Sequence, residues 1–116
     1  MQYMALIYSS PGSEPAYGSP EFKKMMDGYF ALTAFLKEQG AFVAGDGLKP
    51  VKTATSLRVR GGKVETMDGP FAETKEHLGG YYLFDVPDLD QALKYAAMIP
   101  SASYGTIELR PVMTYD

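Results

Sequence analysis

The sequence predicts a mixed α+β domain, a ferredoxin-like split βαβ sandwich with an extra β-hairpin. Two segments have the apolar spacing of amphipathic helices, and the others are short apolar or alternating runs typical of strands. They follow one another as strand, helix, hairpin region, strand, helix and strand. Right-handed crossovers fold that order so that both helices cover one face of the sheet. We predict a single domain over residues 1–116, because the chain has no internal repeat.

The first strand is apolar on both of its faces. Residues 1–8 carry apolar side chains at both sets of alternating positions, which is typical of a strand covered on both sides. The two helices cover only one side, so we expect a second copy of the chain on the other, with a covering loop as the alternative. Residues 9–20 are rich in Ser, Gly and Pro and predict a long loop, either a plain connector or a lid.

The first helix is predicted over residues 21–39 and has recognisable ends. Ser19 is a suitable N-cap with Pro20 in the first turn, and Gly40 is a suitable stop after the last turn. Phe35 lies outside the apolar stripe of this helix. Either it contacts a second copy or it is a single exposed aromatic residue.

A β-hairpin is predicted around the Gly61–Gly62 turn. Residues 55–60 form its first strand and residues 63–67 its return strand. Leu57 and Val59 alternate with polar residues, so we expect these two side chains to face the core. The intervening arginines would then face solvent or a partner.

The second half of the chain predicts strand, helix and strand. Residues 81–86 form a strand that is apolar on both faces, and residues 106–112 form the last strand. Asp88 and Gln91 form a capping box at the start of the helix between them. We expect four residues on the buried side of this helix: Leu89, Ala92, Leu93 and Ala96.

The composition excludes several kinds of chemistry. The chain has no cysteine, which rules out a cysteine nucleophile, a thiolate zinc site and an iron–sulfur cluster. No nucleotide-binding or metal-binding motif is present, so we expect no cofactor. Fourteen acidic against eleven basic residues argue against direct binding to nucleic acid. No apolar run approaches the roughly 18 residues of a membrane span, and the N-terminus lacks a basic region, so we expect a cytoplasmic protein.

The sharpest motif is Asp-Gly-Pro-Phe at residues 68–71. Aspartate followed by Gly-Pro favours a tight turn, and this role alone accounts for Asp68. The functional interpretation makes Asp68 a catalytic general base or a hydrogen-bond acceptor at the mouth of a pocket, from which Phe71 helps to exclude water. Phe71 and Tyr81 would form walls of that pocket.

Ionisable residues are dense in the segment that follows this turn. Lys75 is a candidate for holding an anionic substrate group, while Glu73 or Asp68 moves a proton. Glu76 and His77 lie beside them, although His77 has no second histidine or cysteine as a partner. Solvated charge is the alternative interpretation of this cluster.

These residues resemble a known family. The segment DGPFAETKEHLGGYYLFDVPDLDQAL, with MQYMALIY before it and IELRPVM after it, resembles the YCII-related family of the DGPF type over nearly the whole chain. The resemblance implies a dimeric α/β-barrel built from ferredoxin-like protomers. It also implies a catalytic His–Asp pair, of which Asp68 matches the second member. The first helix, EFKKMMDGYFALTAFLKEQ, contains no histidine, so that pair does not carry over.

Three functional hypotheses stay open at this point. The first is a protein that handles an unknown small molecule beside the DGPF turn, whether or not it is an enzyme. The second is a non-catalytic dimeric module that binds a ligand or partner in regulation, since the family resemblance also implies an association with sigma factors. In the third, the motif is a rigid hairpin cap that holds a homodimer together.

Overall fold

The computed structural model describes residues 1–115. Within them it has six strands, two α-helices and short 3₁₀ turns at Val51–Thr53 and Pro100–Ser103. The elements are β1 (Gln2–Ser9), α1 (Pro20–Glu38), β2 (Phe42–Gly47), β3 (Thr55–Arg60), β4 (Lys63–Asp68), β5 (His77–Asp85), α2 (Leu89–Ala96) and β6 (Thr106–Pro111). Neither helix is both long enough and apolar enough to cross a membrane.

Four strands form one antiparallel sheet in the order β2-β5-β1-β6, and β3 and β4 form a separate two-stranded hairpin. The central strand β1 is paired on both sides, with Ala5 opposite Tyr82 of β5 and Leu109 of β6. This arrangement confirms the α+β class with an extra hairpin.

The predicted helix ends are confirmed. The Ser19 side chain accepts a hydrogen bond from the Phe22 N–H at 3.1 Å, and Gly40 follows α1 with a φ of +68°. At the start of α2, Asp88 accepts a hydrogen bond from the Gln91 N–H at 2.9 Å. Both helices therefore begin where a side chain satisfies a free backbone donor.

The core lies between the two helices and one face of the sheet. Phe84 is fully buried in β5 and stacks on Tyr82 with ring centroids 5.8 Å apart. Leu32 and Leu36 supply the buried side of α1. The sheet, α2 and the segments beside them complete this core with Tyr3, Ala5, Ile7, Ala41, Val86, Ala92, Tyr95, Ala96 and Ile99.

The expectation for the buried side of α2 was partly wrong. Leu89 and Leu93 are 46% and 51% exposed, while Tyr95 is buried. Tyr95 packs edge-on against Phe84 and against Phe35 of α1, with centroids 5.9 and 6.1 Å away. These aromatic contacts turn α2 about its axis relative to the predicted stripe. They also explain Phe35, which packs on α2.

The expectation that the hairpin faces the core was wrong. Leu57 is 67% exposed and Val59 is 54% exposed. Alternation places them on one face of the hairpin, as predicted, but β3 and β4 pair only with each other and do not join the four-stranded sheet. Their apolar face therefore lies against no part of the described core.

The sheet face opposite the helices is apolar along its centre. Met4 pairs with Leu83, and Leu6 lies two residues further along β1 on the same side. All three side chains are half-buried, with no helix over them. We call Met4, Leu6 and Leu83 the open face. The molecule measures 48 × 46 × 19 Å, so it is wide and thin in one direction.

Candidate functional site

A cleft of about 380 Å³ lies on the helix side of the sheet, between α1 and the strands β1, β2 and β5. Its apolar lining includes Ile7, Met25 and Met26, and its polar groups include the side chains of Tyr29, Tyr82 and Ser101. The cleft is large enough for a small organic molecule and is built mainly on helix and strand residues.

Two glycines give this cleft its shape. A Cβ atom on Gly45 would lie 2.7 Å from Cδ1 of Tyr82, and one on Gly80 would lie 2.9 Å from the Asp46 carbonyl oxygen. Each distance is too short for a real side chain. Glycine at these positions therefore lets the Tyr82 ring lie against β2 and lets β2 and β5 approach closely.

Hydroxyl groups from α1 and from the 3₁₀ turn before β6 meet at one side of the cleft. The Tyr29 hydroxyl of α1 lies 2.5 Å from Oγ of Ser101, which is only 4% exposed. Ser101 Oγ also lies 3.1 Å from the Tyr104 hydroxyl, which donates to the sulfur of Met25 at 3.0 Å. This chain of contacts ties α1 to the 3₁₀ turn before β6.

A second pair of hydroxyls lies at the floor of the cleft. The Tyr82 hydroxyl is 2.9 Å from Oγ1 of Thr33 in α1, and it also donates to the Tyr29 carbonyl oxygen at 3.4 Å. Burial raises the pKa of Tyr29 and the pKa of Tyr82 above the ordinary value of 10.0. Both phenols are therefore protonated at neutral pH and present hydrogen-bonding groups without charge.

Glu14 supplies a carboxylate to this cleft. It comes from the loop between β1 and α1, accepts a hydrogen bond from the Ser9 hydroxyl at 3.2 Å and packs over Gly79. Asp46 and Tyr81 also border the cleft. The two residues pair across β2 and β5, and alternation places the Tyr81 ring on the sheet face opposite that of Tyr82. Within residues 1–115, no Lys, Arg or His lines the cleft.

The structure does not bring the sequence-predicted site residues together at this cleft. Asp68 ends β4, and its side chain is exposed, as are those of Phe71, Glu73 and Lys75. Tyr81 lies in β5, where its hydroxyl donates to Asp46 at 3.1 Å. Among residues 1–115, no hydrogen bond or ion pair joins any two of these five side chains.

The DGPF turn is held by its neighbours rather than by the Asp68 side chain. Gly69 has a φ of +90°, its N–H donates to the Ala54 carbonyl at 2.7 Å, and its own carbonyl accepts from the Ser56 hydroxyl at 2.9 Å. A side chain at residue 69 would be strained at that φ. The motif therefore closes the base of the β3–β4 hairpin.

A second concavity of about 460 Å³ lies beside this turn. It is an open groove between one face of the hairpin and the Phe71 ring, which is 84% exposed. Arg58 and Glu65 cross the groove floor as an exposed ion pair at 3.0 Å. In the part of the chain that the structure describes, no three His, Asp or Glu side chains are close enough to hold a metal ion.

The family of the chain follows from its full length. A model of the YCII-related domain matches residues 1–116. The chain belongs to the YCII-related family. The family resemblance drawn from the motif around Asp68 is thereby confirmed.

Two further comparisons place this YCII-related chain among known proteins. It is 37% identical to an uncharacterized protein of Rhizobium meliloti (strain 1021), over 99% of this chain and 94% of that protein. Its fold is similar to 5-chloro-2-hydroxyhydroquinone dehydrochlorinase (TftG) from Burkholderia phenoliruptrix AC1100, solved in complex with 2,5-dihydroxybenzoquinone. The TM-score is 0.51 at 14% identity, covering 97% of this chain and 94% of that one, so this likeness concerns the fold.

Sequence reasoning missed most of the cleft of this YCII-related protein. Thr33 follows Tyr29 by four residues in α1, so the pair of hydroxyls on one helix face was a usable signal in the sequence. Ser101 gave no such signal, because it meets Tyr29 from 72 residues away. Glu14 belongs to the loop that was predicted to be a connector or a lid.

Proposed function

We propose that this protein binds a small, flat organic molecule that carries one or two hydroxyl or carbonyl oxygens, in the cleft beside α1. The observation that carries the proposal is the set of hydroxyls from Tyr29, Ser101, Thr33 and Tyr82 beside an apolar lining. A cleft of this kind buries a ring among apolar side chains and fixes its orientation through a few polar contacts.

Charge narrows the class of ligand. Glu14 is a carboxylate at the cleft, and no basic side chain lines it within the described residues. An anionic ligand would find no partner there, so the proposed ligand is neutral or cationic. The likeness in fold to an enzyme solved with 2,5-dihydroxybenzoquinone supports a flat ring with oxygens as the first type to test.

The test is a thermal-shift experiment with three small phenols of different charge. Resorcinol is neutral, tyramine is a cation and para-hydroxyphenylpropionate is an anion. A bound compound raises the melting temperature by mass action, by about 2.7 kcal/mol of stability at 100 times its Kd. We expect resorcinol and tyramine to raise the melting temperature of the unchanged protein, and to raise it less in Tyr29→Phe and in Ser101→Ala. Tyr115→Phe is the matched control and should keep these shifts, because its side chain is 85% exposed and does not line the cleft.

Glu14→Gln then separates charge from shape. This substitution should weaken the binding of tyramine by about two- to fivefold, the range of an exposed ion pair, and leave the binding of resorcinol unchanged. No shift with any compound at millimolar concentration would contradict the cleft as a site for phenols. Binding of the anion in preference to the cation would contradict the assignment of ligand charge.

A second candidate site lies in the groove beside the DGPF turn, and the groove next to Phe71 is the observation that favours it. There Phe71 would form a wall. Asp68 as the base, Lys75 as the holder of an anionic group and Glu73 would have to turn toward the groove from the end of β4 and the exposed segment after it, because none of the three lines it. If the protein is an enzyme with this site, the Asp68→Asn variant should lose turnover and keep its stability against unfolding. A regulatory binding role without catalysis predicts ligand binding but no product.

We also propose that the protein is a homodimer. The apolar open face of Met4, Leu6 and Leu83 supports this, since soluble proteins seldom leave such a sheet face bare. Sedimentation at micromolar concentration tests it. A monomer at that concentration would contradict a stable dimer.

A further inference from the structure

The contacts beside the cleft determine which way each hydroxyl proton points. A tyrosine or serine hydroxyl has one proton to donate and lone pairs that accept, whereas a methionine sulfur only accepts. The Tyr104 hydroxyl lies 3.0 Å from the sulfur of Met25. Sulfur cannot supply the proton of this contact, so Tyr104 does. The single proton of Tyr104 therefore points to Met25.

This assignment orders the next two contacts. Ser101 Oγ lies 3.1 Å from the Tyr104 hydroxyl, and Ser101 is the donor there because the Tyr104 proton points elsewhere. Since the Ser101 proton is then in use, Tyr29 is the donor in its contact with Ser101 at 2.5 Å. The protons run in one direction, from Tyr29 through Ser101 and Tyr104 to Met25. The Tyr29 hydroxyl accordingly turns its proton away from the cleft and keeps its oxygen as an acceptor.

The remaining hydroxyls that line the cleft also use their protons within the protein. The Tyr82 hydroxyl donates to the Tyr29 carbonyl oxygen, so Thr33 is the donor in its contact with Tyr82. The Tyr81 hydroxyl donates to Asp46. Among residues 1–115, each hydroxyl proton of a lining side chain thus has a protein acceptor. What these hydroxyls offer a ligand is the lone pairs of their oxygens.

We propose that the cleft selects ligands that donate hydrogen bonds, namely phenols, over the ether and carbonyl analogues of the same ring. The inference rests on the proposed binding function and narrows its ligand class. A ring hydroxyl can donate to the Tyr29 oxygen, the Tyr82 oxygen or the Glu14 carboxylate. An ether or carbonyl oxygen would instead place one acceptor against another. The protein oxygens would then lose water on binding and gain no hydrogen bond in return.

Tyr104 sets this preference although it does not line the cleft. Its hydroxyl is the acceptor that holds the Ser101 proton away from Tyr29. Tyr104→Phe removes that acceptor, so the Ser101 proton turns to the Tyr29 oxygen and the Tyr29 proton is able to point into the cleft. Tyr104 is therefore a positioning residue, and its effect reaches the ligand through the hydroxyls of Ser101 and Tyr29.

The test compares three neutral rings that differ in how many hydroxyl protons they carry. Resorcinol has two, 3-methoxyphenol has one and 1,3-dimethoxybenzene has none. Their dissociation constants are measured by isothermal titration calorimetry. Burial alone would favour the ethers, because each added methyl group is apolar. We expect the dissociation constant of 1,3-dimethoxybenzene to exceed that of resorcinol by about tenfold or more, with 3-methoxyphenol between them.

Tyr104→Phe separates proton direction from ligand size. In this variant the ratio of the two outer dissociation constants should fall by about threefold or more, because Tyr29 can then donate to an ether oxygen. A preference due to size alone would survive the substitution. Resorcinol both donates and accepts, so its binding also shows that the variant is folded. Tyr115→Phe is the matched control and should keep the ratio, since the Tyr115 hydroxyl also donates to a methionine sulfur, at 3.8 Å, but lies outside the cleft.

The outcomes distinguish this inference from the proposed function. No binding of any of the three rings at millimolar concentration would overturn both. Equal or tighter binding of 1,3-dimethoxybenzene would overturn the preference for donors and leave the cleft as a binding site. A ratio that stays unchanged in Tyr104→Phe would overturn the proton order from which the preference is derived.

Discussion

The contact between the Tyr29 and Ser101 hydroxyls is a direct test of how the cleft is built. Tyr29→Phe removes one hydroxyl of the pair, and Ser101 keeps its contact with Tyr104 at 3.1 Å, so no buried group is left without a partner. The expected loss is that of one ordinary hydrogen bond, about 1 kcal/mol in the free energy of unfolding. For a domain of this size, such a loss lowers Tm by about 4 °C.

Ser101→Ala removes the shared partner of both tyrosines and should cost about 1–2 kcal/mol, because Tyr104 keeps only its contact with the sulfur of Met25. The two changes remove the same bond, so their effects should not add. We expect the double variant to be more stable than the sum of the single losses predicts, by about 0.5–1.5 kcal/mol.

The assay is urea unfolding of the four proteins at one fixed concentration, followed by far-ultraviolet circular dichroism. The fixed concentration matters because dimer formation contributes to apparent stability. Tyr81→Phe combined with Ser101→Ala is the control pair and should be additive. Additive losses in the Tyr29–Ser101 cycle, within about 0.3 kcal/mol, would refute the coupling on which the polar side of the cleft depends.

Three further changes test other parts of the structure. Gly45→Ala should lower the free energy of unfolding by about 1–3 kcal/mol and abolish the ligand-induced shifts in melting temperature, because its Cβ would lie 2.7 Å from the Tyr82 ring. Gly47→Ala is the control, because its Cβ meets open space. Equal unfolding curves for the two variants would contradict this reasoning. Burial raises the pKa of Tyr29 and of Tyr82, so the stability that depends on their protonated forms is complete below pH 10 and is lost as pH rises above it. Combined Tyr29→Phe and Tyr82→Phe should flatten that loss in alkaline thermal melts, and an unchanged slope would count against buried phenols. Asp68→Asn should change the free energy of unfolding by less than about 0.5 kcal/mol, because its side chain is exposed. Ser56→Ala should lower it by about 1 kcal/mol, because it removes the hydrogen bond to the Gly69 carbonyl. A large loss of stability in Asp68→Asn would instead support a role of the aspartate in the turn.

Local signals in the sequence were sufficient for the ends of the helices and for the faces of the strands. Ser19 and Asp88 cap their helices through contacts that span three residues, and the alternation of β1 separates its two faces. Such features depend on neighbours in the chain, so the pattern of residue types predicts them.

The candidate site was less predictable. The sequence pointed to Asp68, Glu73 and Lys75, because charged residues are dense there. The structure places Asp68 at the exposed end of the hairpin and the other two on the exposed segment after it. The cleft beside α1 instead brings together Tyr29 and Ser101, uncharged residues far apart in the chain. Density of charge along a sequence indicates solvent as readily as it indicates chemistry.

The sequence by itself determined the α+β class, the family, the residues that begin both helices and the glycine that follows the first helix. Only the tertiary structure decided that Tyr95 rather than Leu93 faces the core, and that the apolar face of the hairpin lies outside it. The physical reason is that apolar periodicity shows that a face will be buried but not by what. What covers that face is decided by how distant elements pack, and the local pattern of residues does not encode it.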